Sequence, residues 1–113
     1  MDCLFCKIAA GEIPSTKVYE DETVYAFRDI NPQAPVHVVI IPKKHIASSA
    51  DEITAANSGT IAALFEAIPK VAKAAGLTGG YRIDNNCGPD ACQSVQHIHF
   101  HLLGGKQLAD SMA

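Results

Sequence analysis

Apolar and polar positions alternate along the first third of the chain in a way that predicts short strands. Residues 17–20 and 23–29 are rich in β-branched and aromatic side chains, and the acidic pair between them is typical of a hairpin connection. Residues 36–41 form an almost continuous apolar run, which is typical of a strand buried on both faces. Two prolines in residues 31–35 remove amide donors, so this segment is predicted to be a loop.

The spacing of apolar residues changes to steps of three and four between residues 51 and 76, which predicts the main helix. Gly76 suits the end of that helix, and Pro69 is expected to kink or split it. Two further strands are predicted near residues 81–85 and 96–103, with a turn rich in small residues between them.

These elements predict an α+β fold, in which a single antiparallel sheet of about five strands carries one main helix. The 113 residues suit a single domain over residues 1–113. A net charge of −3 argues against a partner that is a nucleic acid polymer, because such binding depends on Lys and Arg neutralising phosphates. The same charge does not argue against binding of small anionic ligands.

No segment has the apolar core of an export signal or the roughly 18 apolar residues of a membrane span. We therefore expect a cytoplasmic protein without a membrane partner. In that compartment the four cysteines are expected to be reduced, so a metal site or a core position suits them better than disulfides. Cys3 and Cys6 form a C-x-x-C pair. This spacing alone is a weak signal, because it occurs in redox sites, in metal sites and by coincidence.

Three histidines at alternate positions, His97, His99 and His101, are the strongest chemical signal in the sequence. In a strand they share one face, while the apolar residues between them share the other. Alternate residues lie about 6.6 Å apart along a strand, whereas a zinc-bound nitrogen lies about 2.0 Å from the metal. We therefore expect distinct roles: a central histidine that faces the reacting group, and flanking ones that orient, donate a proton or bind a metal.

A neutral imidazole is a competent nucleophile toward phosphorus when a neighbour holds its other nitrogen, and this favours His99 as the nucleophile. His37 lies on the apolar strand 36–41, which is expected next to the histidine strand or one strand away. From there it could donate to a developing phosphate oxyanion. Metal catalysis by the histidine face remains the competing interpretation, although no carboxylate ligand is evident beside it.

The run His97-Ile98-His99-Phe100-His101-Leu102-Leu103 resembles the His-φ-His-φ-His-φ-φ signature of the histidine-triad (HIT) nucleotide-binding proteins, where φ is apolar. The likeness continues through segments that are similar, in order, to the Hint branch of that family. These segments are residues 5–8, 11–14, 29–37, 41–46 and 93–95. The resemblance covers residues 3 to about 105.

The resemblance implies a hydrolase or transferase for purine nucleoside phosphoramidates and adenylated amines, that is, AMP or GMP derivatives. His99 would attack the α-phosphorus, an amine would leave, and water would cleave the nucleotidyl-histidine. No organic cofactor is implied. Two alternatives stay open: hydrolysis of dinucleoside polyphosphates, and a nucleotide-binding regulatory module with little turnover.

The same resemblance implies roles for other residues. His101 and Ser94 would contact the phosphate or leaving group, His37 would support the transition state, and Asn86 would hold the phosphate. Asp29 would bind the ribose hydroxyls, although capping of the following turn also explains an aspartate there. The apolar slot for the base would be formed by Leu4, Phe5, Ile8, Phe27, Ile30 and Val39.

Relatives with the N-terminal cysteine pair resemble a structural zinc site, and the implied ligands are Cys3, Cys6, His45 and His97. Such a Cys2His2 set is closed and tetrahedral. The resemblance also implies a homodimer that joins the two sheets and packs the long helices together. Cys87, Cys92 and the C-terminal tail depart from the family pattern, and we expect both thiols to be small buried hydrophobes.

Overall fold

The computed structural model describes residues 3–113 and has one five-stranded antiparallel sheet with the strand order β1-β2-β3-β5-β4. Short turns of 3-10 helix at Ala50–Glu52 and Pro89–Ala91 connect the longer elements. The elements are α1 (Leu4–Ala9), β1 (Lys17–Glu20), β2 (Val24–Arg28), β3 (Val36–Pro42), α2 (Ser58–Ala74), β4 (Tyr81–Asp84) and β5 (Phe100–Gly104). The predicted α+β fold is confirmed, and β3 and β5 are adjacent, which is the first of the two placements expected for the His37 strand.

The two faces of the sheet are covered by different elements, and this explains why β3 is apolar at almost every position. The α2 face buries side chains that include Val24, Ala26, Val38, Ile40, Leu64, Ile68, Val71, Ile98, Phe100 and Leu102. The other face buries Cys3, Phe5, Ile8, Tyr25, Phe27, Val39 and Ile41, most of them beside α1. Burial of this apolar area is the main stabilising contribution to the fold.

The main helix differs from its predicted bounds and shape. It begins at Ser58 rather than near residue 51, because the Asn57 side chain donates to the carbonyl oxygens of Ile46 and Glu52 and accepts from the Thr54 amide. These bonds tie the preceding loop in a non-helical path. Pro69 does not split the helix, since it lies on the exposed side, where water can bond the carbonyl that loses its partner.

The histidine segment also differs from the prediction, because β5 begins only at Phe100 and the expected strand 96–103 is wrong at its start. Ile98 donates its amide to the Ala47 carbonyl instead of to a neighbouring strand. The alternation of faces is nevertheless confirmed. Ile98, Phe100 and Leu102 lie in the core below α2, and the histidines lie toward the opposite face.

α1 was not predicted from the sequence. It is a helix of six residues whose N-cap is Cys3, because the Cys3 sulfur accepts a hydrogen bond from the Cys6 amide. Neither α1 nor α2, nor any other helix within residues 3–113, is long and apolar enough to cross a bilayer.

Candidate active site and metal site

His99 is held in the tautomer that a nucleophile requires. Its side chain is 3% exposed, and its Nδ1 lies 2.8 Å from the main-chain oxygen of His97. A carbonyl oxygen only accepts, so Nδ1 carries the proton and Nε2 keeps its lone pair. Phe5 lies edge-on to the His99 ring, with centroids 5.0 Å apart, and Asn85 donates to the His99 carbonyl at 2.8 Å. The ring is therefore fixed from several sides.

A single backbone amide determines the tautomers of two more histidines. The Gln33 amide donates to Nδ1 of His37 at 3.0 Å, so the His37 proton lies on Nε2. Nε2 of His37 then donates to Nδ1 of His101 at 2.8 Å, which leaves the His101 proton on its own Nε2. The ring centroids of His99 and His101 lie 5.2 Å apart. A nucleophilic lone pair and a hydrogen-bond donor therefore stand side by side.

Asp29, His37 and His101 place three ligand-type atoms within 4.8 Å of one another, which raises the question of a catalytic metal. Their hydrogen bonds argue against it. If Nε2 of His37 bound a metal while Nδ1 accepted the Gln33 amide, both nitrogens would need lone pairs, and the ring would be an imidazolate. We interpret this group as hydrogen-bonded acid–base residues, which disfavours metal catalysis through this set.

Burial sets the charge of the histidines in the site. Burial lowers the pKa of His99 below its ordinary value of 6.5, against the opposing effect of its bond to the His97 carbonyl. Burial also lowers the pKa values of His37 and His101, although the carboxylates of Asp29 and Asp84 oppose the shift. All three rings are therefore neutral at pH 7, as a nitrogen nucleophile requires.

These shifts predict a loss of stability in weak acid. In the unfolded chain His37 and His101 bind protons near pH 6.5, whereas in the folded chain they do so only at lower pH. The free energy of unfolding should therefore fall as the pH drops through 6.5, and this loss should stop growing below the folded-state pKa values. Urea unfolding from pH 8 to 5 checks this, with His37→Gln as the comparison. If the free energy of unfolding changes equally with pH in the intact chain and in His37→Gln, the lowered pKa of His37 is contradicted.

The structure places the other proposed catalytic and phosphate-binding residues in the loops around the histidines. Ser94 is exposed and Asn86 is half-buried. Asn85, next to Asn86, was not singled out from the sequence, since an asparagine in a turn gives no signal of a bond to the His99 carbonyl. Gln93 was also missed. Its side chain accepts from the Gly88 amide and donates to the carbonyls of Ser48 and Val95. These three hydrogen bonds hold the loop that precedes the histidines.

Four of the six residues proposed for the base slot belong to one buried cluster, and Phe5 and Phe27 meet edge to face at 5.6 Å. The other two, Leu4 and Ile30, are large exposed apolar side chains. Asp29 does cap the following turn, since its Oδ1 accepts the Asn31 amide at 2.8 Å. Its Oδ2 lies 3.4 Å from Nε2 of His37 and faces the site.

Cys3, Cys6, His45 and His97 come together with all four ligand atoms within 4.8 Å of one another. Nδ1 of His97 lies 3.3 Å from the Cys3 sulfur and 3.5 Å from the Cys6 sulfur, and Nδ1 of His45 lies 3.7 Å from the Cys6 sulfur. A tetrahedral zinc with ordinary bond lengths separates its ligand atoms by roughly 3.3–3.8 Å. The spacing therefore fits zinc.

The hydrogen bonds around this set also fit a metal. Nε2 of His97 donates to the Pro42 carbonyl at 2.8 Å, which leaves the lone pair of Nδ1 directed at the cysteines. Burial, followed by the nearby Cys3 thiol, raises the pKa of Cys6 to about 11. Without a metal the Cys6 thiol stays protonated at neutral pH, and a bound metal would displace that proton.

Cys87 and Cys92 are not part of this group, and the expectation of two buried thiols is wrong for Cys92. Cys92 is exposed and adopts a left-handed conformation with φ of 60° at the end of the Pro89–Ala91 turn. Cys87 is half-buried, and both are unbridged thiols.

Comparison with known proteins agrees with this fold. The model of the HIT domain family matches residues 10–108. The "14 kDa zinc-binding protein" of Zea mays is 52% identical over 106 residues, covering 93% of this chain and 83% of the maize protein. "Adenylylsulfatase HINT1" of Arabidopsis thaliana is 48% identical over 109 residues, covering 93% of this chain and 72% of the plant protein.

A solved structure shows a similar level of sequence identity to this chain. The HIT family hydrolase from Clostridium thermocellum superposes with a TM-score of 0.93 at 48% identity, over 99% of this chain and 97% of that one. The sheet and the helix arrangement are those of a HIT family hydrolase fold. The chain belongs to the HIT domain family.

Proposed function

We propose that this protein is a hydrolase or transferase that cleaves purine nucleoside 5′-phosphoramidates through a nucleotidyl-histidine on His99. One observation carries the proposal: the fixed pair of tautomers that puts a lone pair on Nε2 of His99 and a proton on Nε2 of His101. Hydrolysis of a P–N bond needs a nucleophile for phosphorus, and a hydrogen-bond donor assists the departing nitrogen.

The reaction proceeds in two displacements. Nε2 of His99 bonds to the α-phosphorus and the P–N bond breaks, while the Nε2 proton of His101 is hydrogen-bonded to the leaving nitrogen. His101 keeps that proton, because a neutral imidazole does not give up its last ring proton near neutral pH. The leaving nitrogen takes a proton from water and departs as the amine. The remaining hydroxide then bonds to phosphorus, and the bond from phosphorus to His99 breaks. Both tautomers are kept, and the products are an amine and the nucleoside monophosphate.

The nucleotide binds with its base in the apolar cluster beside α1 and its phosphate at the histidines. Asp29 accepts hydrogen bonds from the ribose hydroxyls through Oδ2, the oxygen that its turn does not use. Ser94 and Asn86 contact the phosphate from the loops, and His37 supports the transition state through His101. The base slot is formed by Phe5, Ile8, Phe27 and Val39, with Leu4 and Ile30 at its exposed rim.

Zinc at Cys3, Cys6, His45 and His97 has a structural role in this proposal. When bound, the ion supplies a closed four-coordinate link between the start of α1 and the segment that precedes β5. The maize relative and a relative from Brassica juncea are both named as 14 kDa zinc-binding proteins, and this supports the assignment. No step of the hydrolysis passes through the metal, because all four ligand positions are filled by the chain.

The test of the proposed activity is AMP release from adenosine 5′-phosphoramidate by the purified full-length chain. We expect many turnovers per protein molecule, and product formation that scales with protein concentration. AMP binding is measured in parallel by calorimetry. Tight AMP binding with no release above the uncatalysed rate would contradict the proposal and favour a regulatory nucleotide-binding module.

We also propose that residues 1–113 form one domain that associates as a homodimer. β4 is an edge strand, and its exposed Tyr81 and Ile83 lie on the α2 face, where Phe65 is also exposed. An unpaired edge beside an apolar patch favours association of two copies through strand pairing and helix packing. Covering this patch would extend the sheet across the dimer.

Light scattering coupled to size-exclusion chromatography checks the dimer. The intact chain should elute with the mass of two copies, and Ile83→Lys should shift it toward one copy, because a buried charge at the interface is costly. Met112→Lys, which adds the same charge at an exposed tail position, is the matched control. A single-copy mass for the intact chain would contradict the proposal.

A further inference from the structure

The catalytic face has one carboxylate that the proposed mechanism does not use, that of Asp84 at the end of β4. In the pairing of β4 with β5, Asp84 lies directly opposite His101. Residues directly opposite one another in antiparallel strands point to the same face, with Cβ atoms about 5 Å apart. The half-buried Asp84 side chain therefore lies beside the proposed hydrogen-bond donor to the leaving group.

Strand order puts Asp84 on the leaving-group side of the histidines. The proposed base slot lies on α1, β2 and β3, the histidines lie on or just before β5, and β4 follows at the far edge. A nucleotide with its base in the slot and its α-phosphorus at His99 therefore directs its remaining substituent toward β4. Asp84 is the acidic residue of β4.

The charge of Asp84 is not neutralised by another side chain within residues 3–113. The basic residue nearest to it along the same face of β4 is Arg82, whose guanidinium donates to the Ala109 carbonyl at 2.8 Å. The negative charge of Asp84 does reach the histidines, since it acts to raise the pKa values of both His37 and His101. A charge felt at His101 is also felt by a group leaving from the adjacent phosphorus.

We propose that Asp84 selects leaving groups that carry a positive charge, so that the preferred substrates are nucleoside 5′-phosphoramidates of amines with a second, protonated amino group. The proposal rests on the phosphoramidase function above and names its substrate class. An ammonium group near Asp84 gains a charge-assisted hydrogen bond, whereas a carboxylate, sulfate or polyphosphate there is repelled. Dinucleoside polyphosphates are therefore poor substrates for this chain.

Three adenosine 5′-phosphoramidates of similar size test the proposal: those of a butanediamine, of n-butylamine and of γ-aminobutyrate. Their free ends are cationic, neutral and anionic. For the intact chain kcat/KM should decrease in that order. Asp84→Asn should reduce the preference for the cationic over the anionic substrate by about tenfold, and Asp84→Lys should invert it. The exposed Asp51→Asn is the matched control and should keep the preference of the intact chain.

The outcomes separate the two proposals. If the intact chain cleaves the n-butylamine compound but Asp84→Asn and Asp84→Lys, both shown to fold, keep the original preference, the role of Asp84 is overturned and the phosphoramidase function stands. If the intact chain cleaves none of the three compounds, both proposals fail. A preference that weakens as salt is added supports direct charge recognition, because salt screens partly exposed charges.

Discussion

Replacing His99 with glycine is expected to lower kcat for AMP release from adenosine 5′-phosphoramidate by roughly three orders of magnitude or more. The reason is geometric. Nε2 of His99 carries a lone pair because Nδ1 holds the ring proton, whereas Nε2 of His101 carries a proton and Nδ1 of His101 accepts from His37. Replacing His99 removes the lone pair that is proposed to form the first bond to phosphorus.

The control for this experiment is AMP binding by the same variant. Asp29 accepts its turn hydrogen bond without the His99 side chain, and in the base slot Phe5 loses one edge-on ring contact, so AMP affinity should change far less than kcat. A fall in kcat with retained affinity identifies loss of an interaction made in the transition state. A variant that folds, binds AMP and keeps its kcat within tenfold would show that His99 is not the nucleophile.

Loss of the metal is the second change with a large expected effect. Cys6→Ser should abolish stoichiometric zinc and lower the free energy of unfolding by about 3 kcal/mol or more, because metal binding contributes directly to folding where ligands lie on separate elements. α1 has only six residues, and both of its cysteine ligands lie at its start. With zinc bound as proposed, its attachment to the histidine segment would depend on the metal together with the packing of Phe5 and Ile8.

Zinc content by elemental analysis and urea unfolding are the two measurements. Cys87→Ser is the matched control, since Cys87 is a half-buried thiol outside the four-residue group and should leave both values unchanged. The effect should also be seen at the active site, because the His97 carbonyl that fixes His99 belongs to a proposed metal ligand. Intact protein that carries no zinc after purification in the presence of the metal, or zinc-loaded intact protein that is no more stable than Cys6→Ser, would contradict the structural metal.

The strands could be predicted because the order of apolar and polar residues along each one follows which of its side chains are buried. The apolar run of β3 reflects two covered faces, and the alternation through the histidine run reflects a core on one side. α1 was not predictable, since six residues have too little periodicity and the N-cap is a cysteine sulfur. The start of α2 was missed because the side-chain bonds of Asn57, which form only in the folded loop, outweigh the local helical pattern.

In the site, as in the fold, the sequence shows the residue types but not the contacts that form only in the folded chain. The sequence, with the family resemblance, predicted roles for the histidines, but their tautomers depend on the Gln33 amide and the His97 carbonyl, and these backbone contacts leave no pattern in the sequence. The position of Asp84 opposite His101 depends on the register between β4 and β5. Register is a property of the assembled sheet, so this carboxylate carried no signal in the sequence.

Trapping the covalent intermediate is the most direct test of the proposed nucleotidyl-histidine on His99. The intact chain is mixed with adenosine 5′-phosphoramidate, quenched under alkaline denaturing conditions within a single turnover, digested and analysed by mass spectrometry. We predict an added adenylyl group on the peptide that contains His99, formed before AMP appears and absent from His99→Gly. AMP release without any adduct in that interval, or with the adduct on another residue, would contradict it.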